Sequence, residues 1–387
     1  MSGGLTSSED TLNEQITPIH IFFSDIDDPR TSNSVHPLIN ILFISLVAMI
    51  CGADDIASIC EFAHLRKSFF FKYLDMSSGL PSLATFERVL SRLDPIQLNQ
   101  RLMNWVLHRT GPLDGLHLAC DGKSRRSSFD QSDRSDIIHT TSVFIRQNNL
   151  FLGALSSRGS GHETADAKAL FELLDIKGTT ITLDALHTST VMTEILHKKK
   201  ANYVLPLKGN VPARLEETKT AFDTWRTEKD MLGDHHSETT KGHGRIEERS
   251  VWVMPVGKWF GELKKWRGLK SIIEVERRTV RNGKESFERS YYITSLEGSD
   301  AKEIFETIRG HWAVENQGHW CLDMIMNEDG NRSRKDRSAE NLAILARAAL
   351  NFLRSANFGP DKLKSRRVAC ALKEDYLVKV LASLDVK

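Results

Sequence analysis

The sequence predicts an α/β protein: a mixed β-sheet flanked by helices, preceded by an all-helical unit and interrupted by a β-rich insertion. Three observations carry that expectation. Apolar residues recur at helical spacing from about His36 to Leu107. The pattern turns to alternation near Gly111, and a second alternating block ends where helical spacing resumes at Asp300. These shifts divide the chain into a helical unit (1–112), the first part of the core (113–228), the insertion (229–299), the second part of the core (300–358) and a basic, weakly patterned tail (359–387).

The first dozen residues are polar. Four helical runs follow: "HPLINILFISLVAMI", "ADDIASICEFAHLRKSFFFKYL", "PSLATFERVLSRL" and "IQLNQRLMNWVL". Pro81 and Ser82 make a good helix start. The preceding "SSGL" turn allows a helix-turn-helix with Thr85, Glu87 and Arg88 outward, although short helices so joined are more often plain packing. "LHLAC" is a strand ending on Asp121, and "SVFIRQNNLFLGALSS" is a hairpin around Gln147-Asn148-Asn149. Helix "ADAKALFELLDI" stops before Gly178; strand "TTITL" ends on Asp184; helix "TSTVMTEILHKKK", strand "NYVLPL" and helix "VPARLEETKTAFDTW" follow. In the insertion, "RIEERSVWVMPV", "KSIIEVERRTV" and "ESFERSYYITSL" alternate, with an Asn-Gly hairpin turn in "RNGK". The last strong helices are "DAKEIFETIRGHWAVENQGHWCLDMIM" and "SAENLAILARAALNFLRSA".

Composition sets limits. Over 387 residues, 40% are hydrophobic and 27% charged, as in ordinary globular proteins, and the net charge of +1 excludes a uniformly basic surface. Contact with nucleic acid therefore rests on local patches: "DGKSRRSS" (Lys123, Arg125, Arg126), "NRSRKDR" (Arg332, Arg334, Lys335, Arg337) and "ELKKWRGLK" (Lys264, Lys265, Arg267, Lys270). Each alone is more often a solvated face than a contact. Five dispersed cysteines without a CxxC pair favour a reducing cytoplasm over a disulfide framework or zinc ribbon. The N-terminus lacks the pattern of a signal peptide. "LINILFISLVAMIC" is too short to span a bilayer and reads as a buried helix, so no membrane partner is expected.

The chemistry lies in three distant acids. Strand ends in an α/β sheet place side chains rigidly where loops depart, and Asp121 and Asp184 occupy two of them. Glu315 sits on a helix with His311 and His319 four residues to either side. If the strands are neighbours, the two aspartates repel until a divalent cation such as Mg²⁺ or Mn²⁺ neutralises them, and Glu315 completes a site for two ions. Asp184 has a plain alternative as a helix cap. The order β-β-β-α-β-α-β followed by a helix is that of an RNase H-like core.

Beyond these acids, the chain resembles the ISAs1 family of insertion-sequence transposases, which includes the H-repeat-associated proteins. The runs that carry it span nearly the whole chain in family order, among them "GLPSLATFERVLSRLDP", "DGKSRRSS", "LLDIKGTTITLDALHT", "YVLPLKGN", "GHGRIEERSVWV" and "IRGHWAVENQGHWCLDMIMNED". The resemblance implies a DDE transposase with an N-terminal helical associated domain for DNA binding or dimerisation. Asp121 would be the first acid, Asp184 the second and Glu315 the third, and the enzyme so implied frees a 3′-OH and joins it to target DNA. Expected partners are double-stranded DNA, as terminal inverted repeats and target, and a second copy of the chain; the expected place is the bacterial cytoplasm, at the nucleoid.

Companion residues follow from position. Lys123, Arg125 and Arg126 trail the first acid and could neutralise phosphate. His187 either touches phosphate or packs a helix start; Lys208 ends the fifth strand on the same edge. His243 and Arg245 in "KGHGRIEER" suit DNA contact because flanking glycines let backbone approach closely. Arg309, His311 and His319 lie on or beside the Glu315 face, where Trp312 and Trp320 are expected to pack the helix against the sheet. Two other functions stay open: a metal-dependent endonuclease that cuts without joining, and a catalytically silent DNA-binding protein.

Overall fold

Among the described residues, helical spacing toward the N-terminus produces five helices: α1 (Leu38–Cys51), α2 (Ile56–Leu65), α3 (Lys67–Tyr73), α4 (Leu83–Arg92) and α5 (Pro95–Thr110). The computed structural model describes residues 23, 25–30, 34–125, 137–159, 161–227, 233–242, 244–257, 265–297 and 300–383. α1 is apolar all round, and every residue but Ile39 is buried, the signature of a central core helix. Among the described residues no single helix is long and apolar enough to cross a membrane. The run expected as one helix from Ala53 to Leu74 breaks at Arg66, which turns Phe69, Phe70 and Tyr73 into the core. Asp55 opens α2 with a capping box in which its carboxylate accepts from Ser58 N–H.

Nine strands form one sheet: β1 (His117–Ser124), β2 (Ile138–Ile145), β3 (Leu150–Arg158), β4 (Thr180–Leu183), β5 (Asn202–Leu207), β6 (Asp234–Gly242), β7 (Arg245–Pro255), β8 (Ser271–Arg281) and β9 (Lys284–Thr294). Their order is β3-β2-β1-β4-β5-β9-β8-β7-β6, with β1, β4 and β5 mutually parallel and the remaining pairs antiparallel. α6 (Glu163–Leu173) and α7 (Thr190–Lys198) make the crossovers from β3 to β4 and from β4 to β5, and α8 (Pro212–Thr227) follows β5. The insertion prolongs the core sheet, because β9 pairs directly with β5. Its Asn282-Gly283 turn has φ of 50° and 71°, as a two-residue hairpin of this hand requires. β6 was not expected; its sequence "DHHSETTKG" is a polar edge strand with no apolar alternation to reveal it.

α9 (Ala301–Ala313) crosses the sheet and seats Ala301, Ile304 and Phe305 on Val204, Val251, Val253, Ile273 and Val275. It continues into a π-helical segment, Val314–His319, and then α10 (Trp320–Met324), where continuous α-helix was expected. α11 (Ser338–Ser355) packs on α1, α4 and α5 as well as β3. The expected weakly patterned tail is instead α12 (Leu363–Leu372) and α13 (Glu374–Leu381), which bury Cys370, Leu377, Val378, Val380 and Leu381. Arg367 anchors α12 by donating to Met49 O and pairing with Asp54 at 2.6 Å.

Candidate active site

The alternation of β1 turns His117, Ala119, Asp121 and Lys123 to one face, and that of β4 turns Thr182 and Asp184 to the same face. Against it lies the helix through α9, the π-segment and α10. The two chains of residues match along their length. Gly310 lies over His117, His311 meets Thr182, His319 meets Asp121, and Asp323 meets Lys123. β1 runs on to Ser124 by pairing with β2, but its parallel pairing with β4 ends at Cys120↔Leu183. Asp121 and Asp184 therefore take neighbouring places where the two strands separate, roughly 5 Å apart in backbone by sheet spacing.

Asp184 does two things. Its Oδ1 accepts from Ala185 N–H at 2.6 Å and so caps the short 3₁₀ turn Ala185–His187. It also lines a cleft of about 320 Å³ with Glu315, His311, Lys208 and Trp312. Lys208 is exposed, its Nζ 3.7 Å from Asp184 Oδ1. Asp121 accepts from Gly122 N–H at 2.9 Å and has His319 Nδ1 3.5 Å away. Burial, and then the charges of Glu315 and Asp184, push the Asp121 carboxyl up to about 7 against the pull of the Gly122 hydrogen bond. His319 is held neutral, lowered to about 3 by burial and next by Arg347.

A buried carboxyl raised in part by two neighbouring carboxylates has, with them, the donor chemistry of a site for hard divalent cations. Among the described residues, no three His, Cys, Asp or Glu groups already stand in ligating positions, so the side chains would have to draw together on an ion.

The other expected contacts divide. Lys123 does not face solvent: its amine lies 2.7, 3.3 and 2.9 Å from Asp323, Glu328 and Asp329. Arg125 is 1% exposed and donates to Ala339 O at 2.8 Å, so its guanidinium belongs to the core rather than to a DNA surface. His187 is buried beneath its turn. Arg126 and His243 lie outside the described residues. Arg245 begins β7 beside Glu247, outside the cleft lining. Arg309 pairs with Glu238 at 3.2 Å and lines a second, larger cavity of about 580 Å³ with Arg146, Lys302 and Trp312. Trp312 and Trp320 do not pack the helix down; they are 54% and 56% exposed. Sequence reading missed Thr182 and His117, though both sit at even offsets from the strand aspartates, the one signal that marks the same face.

Comparison with known proteins gives the family. Residues 20–106 match the family described as DDE_Tnp_1-associated, and residues 107–352 match the one described as Transposase DDE domain. The chain is 34% identical over 367 residues to the Escherichia coli O157:H7 protein named "Putative transposase YncI", covering 94% of each chain. It is 30% identical over 368 residues to the "H repeat-associated putative transposase YhhI" of Escherichia coli K12, covering 93% of this chain and 96% of that one. The β3-β2-β1-β4-β5 half of the sheet with its flanking helices is the RNase H-like core of that domain. The chain belongs to the DDE transposase family.

Proposed function

We propose that this transposase cleaves the ends of its element and joins the freed 3′-OH to target DNA at a site built from Asp121, Asp184 and Glu315. The observation that carries the reading is that Asp184 and the π-helical Glu315 line one cleft while Asp121, on the neighbouring strand, lies close enough for their charges to help push it up to about 7. Family membership implies DNA as the partner and divalent metal as the cofactor. We take the metal to be Mg²⁺ or Mn²⁺, two ions per site, supplying activation of the attacking oxygen and neutralisation of the leaving one. The residues do the rest. The three carboxylates hold the ions, Lys208 approaches phosphate from the exposed rim, and neutral His311 and His319 leave the local negative charge available for cations.

In the first step, water attacks phosphorus and the bond to the 3′ oxygen breaks; in the second, that 3′-OH attacks a target phosphodiester, the target P–O3′ bond breaks, and the target strand's 3′ oxygen leaves as a hydroxyl. Residues 1–112 would contact element ends or pair two copies, since bringing two ends together calls for at least a dimer in the cytoplasm. Lys208 and the exposed Trp312 at the rim suit a bound strand better than a small ligand.

The test is strand cleavage and joining with duplexes carrying the sequences that flank the gene, in Mg²⁺ or Mn²⁺. Wild type should cut and join, and Asp121→Asn should lose both by at least about 10³-fold while keeping its thermal transition. Joining by Asp121→Asn would refute the assignment. Cutting without joining of pre-cleaved 3′-OH ends would show an endonuclease instead.

A further inference from the structure

His311 is the last member of a hydrogen-bonded chain that begins at an unpaired atom. His117 Nε2 lies 2.8 Å from Thr182 Oγ1, and His311 Nδ1 lies 3.0 Å from the same oxygen. A threonine hydroxyl has one hydrogen and two lone pairs; if both rings donated to it, its own buried O–H would be left without an acceptor among the described residues, so it donates to one ring and accepts from the other. Burial, with smaller effects of nearby charges, lowers His117 to about 3 and His311 to about 4. Each ring is therefore neutral and carries one N–H.

Two arrangements remain, and the far side of His117 separates them. Its Nδ1 is buried and has no hydrogen-bond partner among the described residues. If Thr182 donated to His117, that Nδ1 would bear the proton, leaving an orphaned N–H in the interior, the rarer and costlier defect. In the opposite arrangement His117 Nε2–H donates to Thr182, Thr182 O–H donates to His311 Nδ1, and only a lone pair is left unmatched. His311 then bears its proton on Nε2. That atom is absent from the buried unpaired set, and its ring lines the cleft with Asp184, Lys208 and Glu315.

The packing is built for this contact. A Cβ on Gly310 would stand 2.9 Å from His117 Cε1 and 2.6 Å from Arg146 Cδ, so only glycine lets α9 settle onto His117 beside His311.

We propose that Thr182 and His117 are positioning residues that fix His311 as an Nε2–H donor aimed at a phosphate oxygen in the cleft. The identity of that oxygen rests on the transposition reading; the relay itself does not. His311 acts as a hydrogen-bond donor to charge that builds on the phosphate, and no proton is transferred. Loss of one such donor costs about 10²-fold in rate, and loss of the group that orients it costs about 10-fold.

The decisive measurement is nitrogen-15 NMR of the histidine-labelled full chain, with Thr182→Val and Thr182→Ser beside wild type. Nicking of supercoiled plasmid DNA in Mn²⁺ is read on the same proteins and on His311→Ala. Wild-type His311 should show the Nε2–H tautomer; Thr182→Val should lose that fixed tautomer and nick about 10-fold more slowly. Thr182→Ser, which keeps the hydroxyl, should recover both. A wild-type His311 protonated on Nδ1, or a tautomer indifferent to Thr182→Val, overturns the relay. Should the valine variant not fold, the tautomers of wild type and Thr182→Ser still decide it. A wild type that shows the Nε2–H tautomer but nicks no DNA would refute the transposition reading and not the relay.

Discussion

At the scale of single residues, the densest chemistry outside the cleft is a buried ion cluster beside it. Arg347 is 0% exposed, donating to Glu328 at 2.7 Å and to Ser142 Oγ at 3.0 Å, while Lys123 reaches Glu328 from β1. Burial works to raise the Glu328 carboxyl, but Arg347, then Lys123 and Arg125, outweigh it and hold the group down at about 2. A carboxyl whose folded value lies below its ordinary 4.5 contributes stability that is complete above that pH and is lost as pH falls through about 2. Acid titration of unfolding should show this loss, and Arg347→Met should flatten it. The same variant leaves a buried charge short of its partner and should cost about 3–5 kcal/mol in a denaturant titration. None of this was legible locally. Lys123 and Arg125 read as a basic loop because Asp323, Glu328 and Asp329 stand some two hundred positions further along, and only the fold supplies them.

Among the elements, the π-helical segment decides how the site is assembled. The spacing of His311, Glu315 and His319 puts them on one face of an α-helix. It did not show that the backbone widens over Val314–His319, because no residue in "VENQGH" encodes an extra residue per turn. The widening matters to register, letting His311 meet Thr182 on β4 while His319 meets Asp121 on β1. Deleting the exposed Gln317 should restore α-helical winding and swing His319 away from Asp121. Helix content by circular dichroism should hold, while cleavage should fall at least about 10-fold; unchanged cleavage would deny the segment its role. The strands that carry acids were legible from an apolar run before Asp121 and a β-branched run before Asp184, although β1 continues past Asp121 to Ser124, and the Asn-Gly turn was legible from its dipeptide. β6 was not, since the face it turns toward α9 is made of His236, Glu238 and Thr240, polar residues that leave no apolar alternation.

For the molecule as a whole, the sheet and the two terminal helical groups are interdependent. The β-rich insertion was visible in sequence, but its union with the core into one nine-stranded sheet depends on β9 choosing β5, a pairing across some eighty residues. The C-terminal helices were hidden for a similar reason: their basic residues mask short apolar faces that acquire meaning only against α1 and α11. Removing residues 359–387 should therefore uncover α1 and lower the melting temperature by several degrees or leave the protein insoluble, measured by calorimetry on the purified chain. A truncated protein of unchanged melting temperature would show those helices to be dispensable. This close wrapping has a consequence for biogenesis. α1 emerges from the ribosome first among the described helices, yet two of its main coverings, α11 and α12, emerge near the end, so a strongly apolar segment waits through most of translation for much of its shelter. Such a nascent chain is a natural client for chaperones, and its synthesis must run almost to the end before the first helix is sheltered.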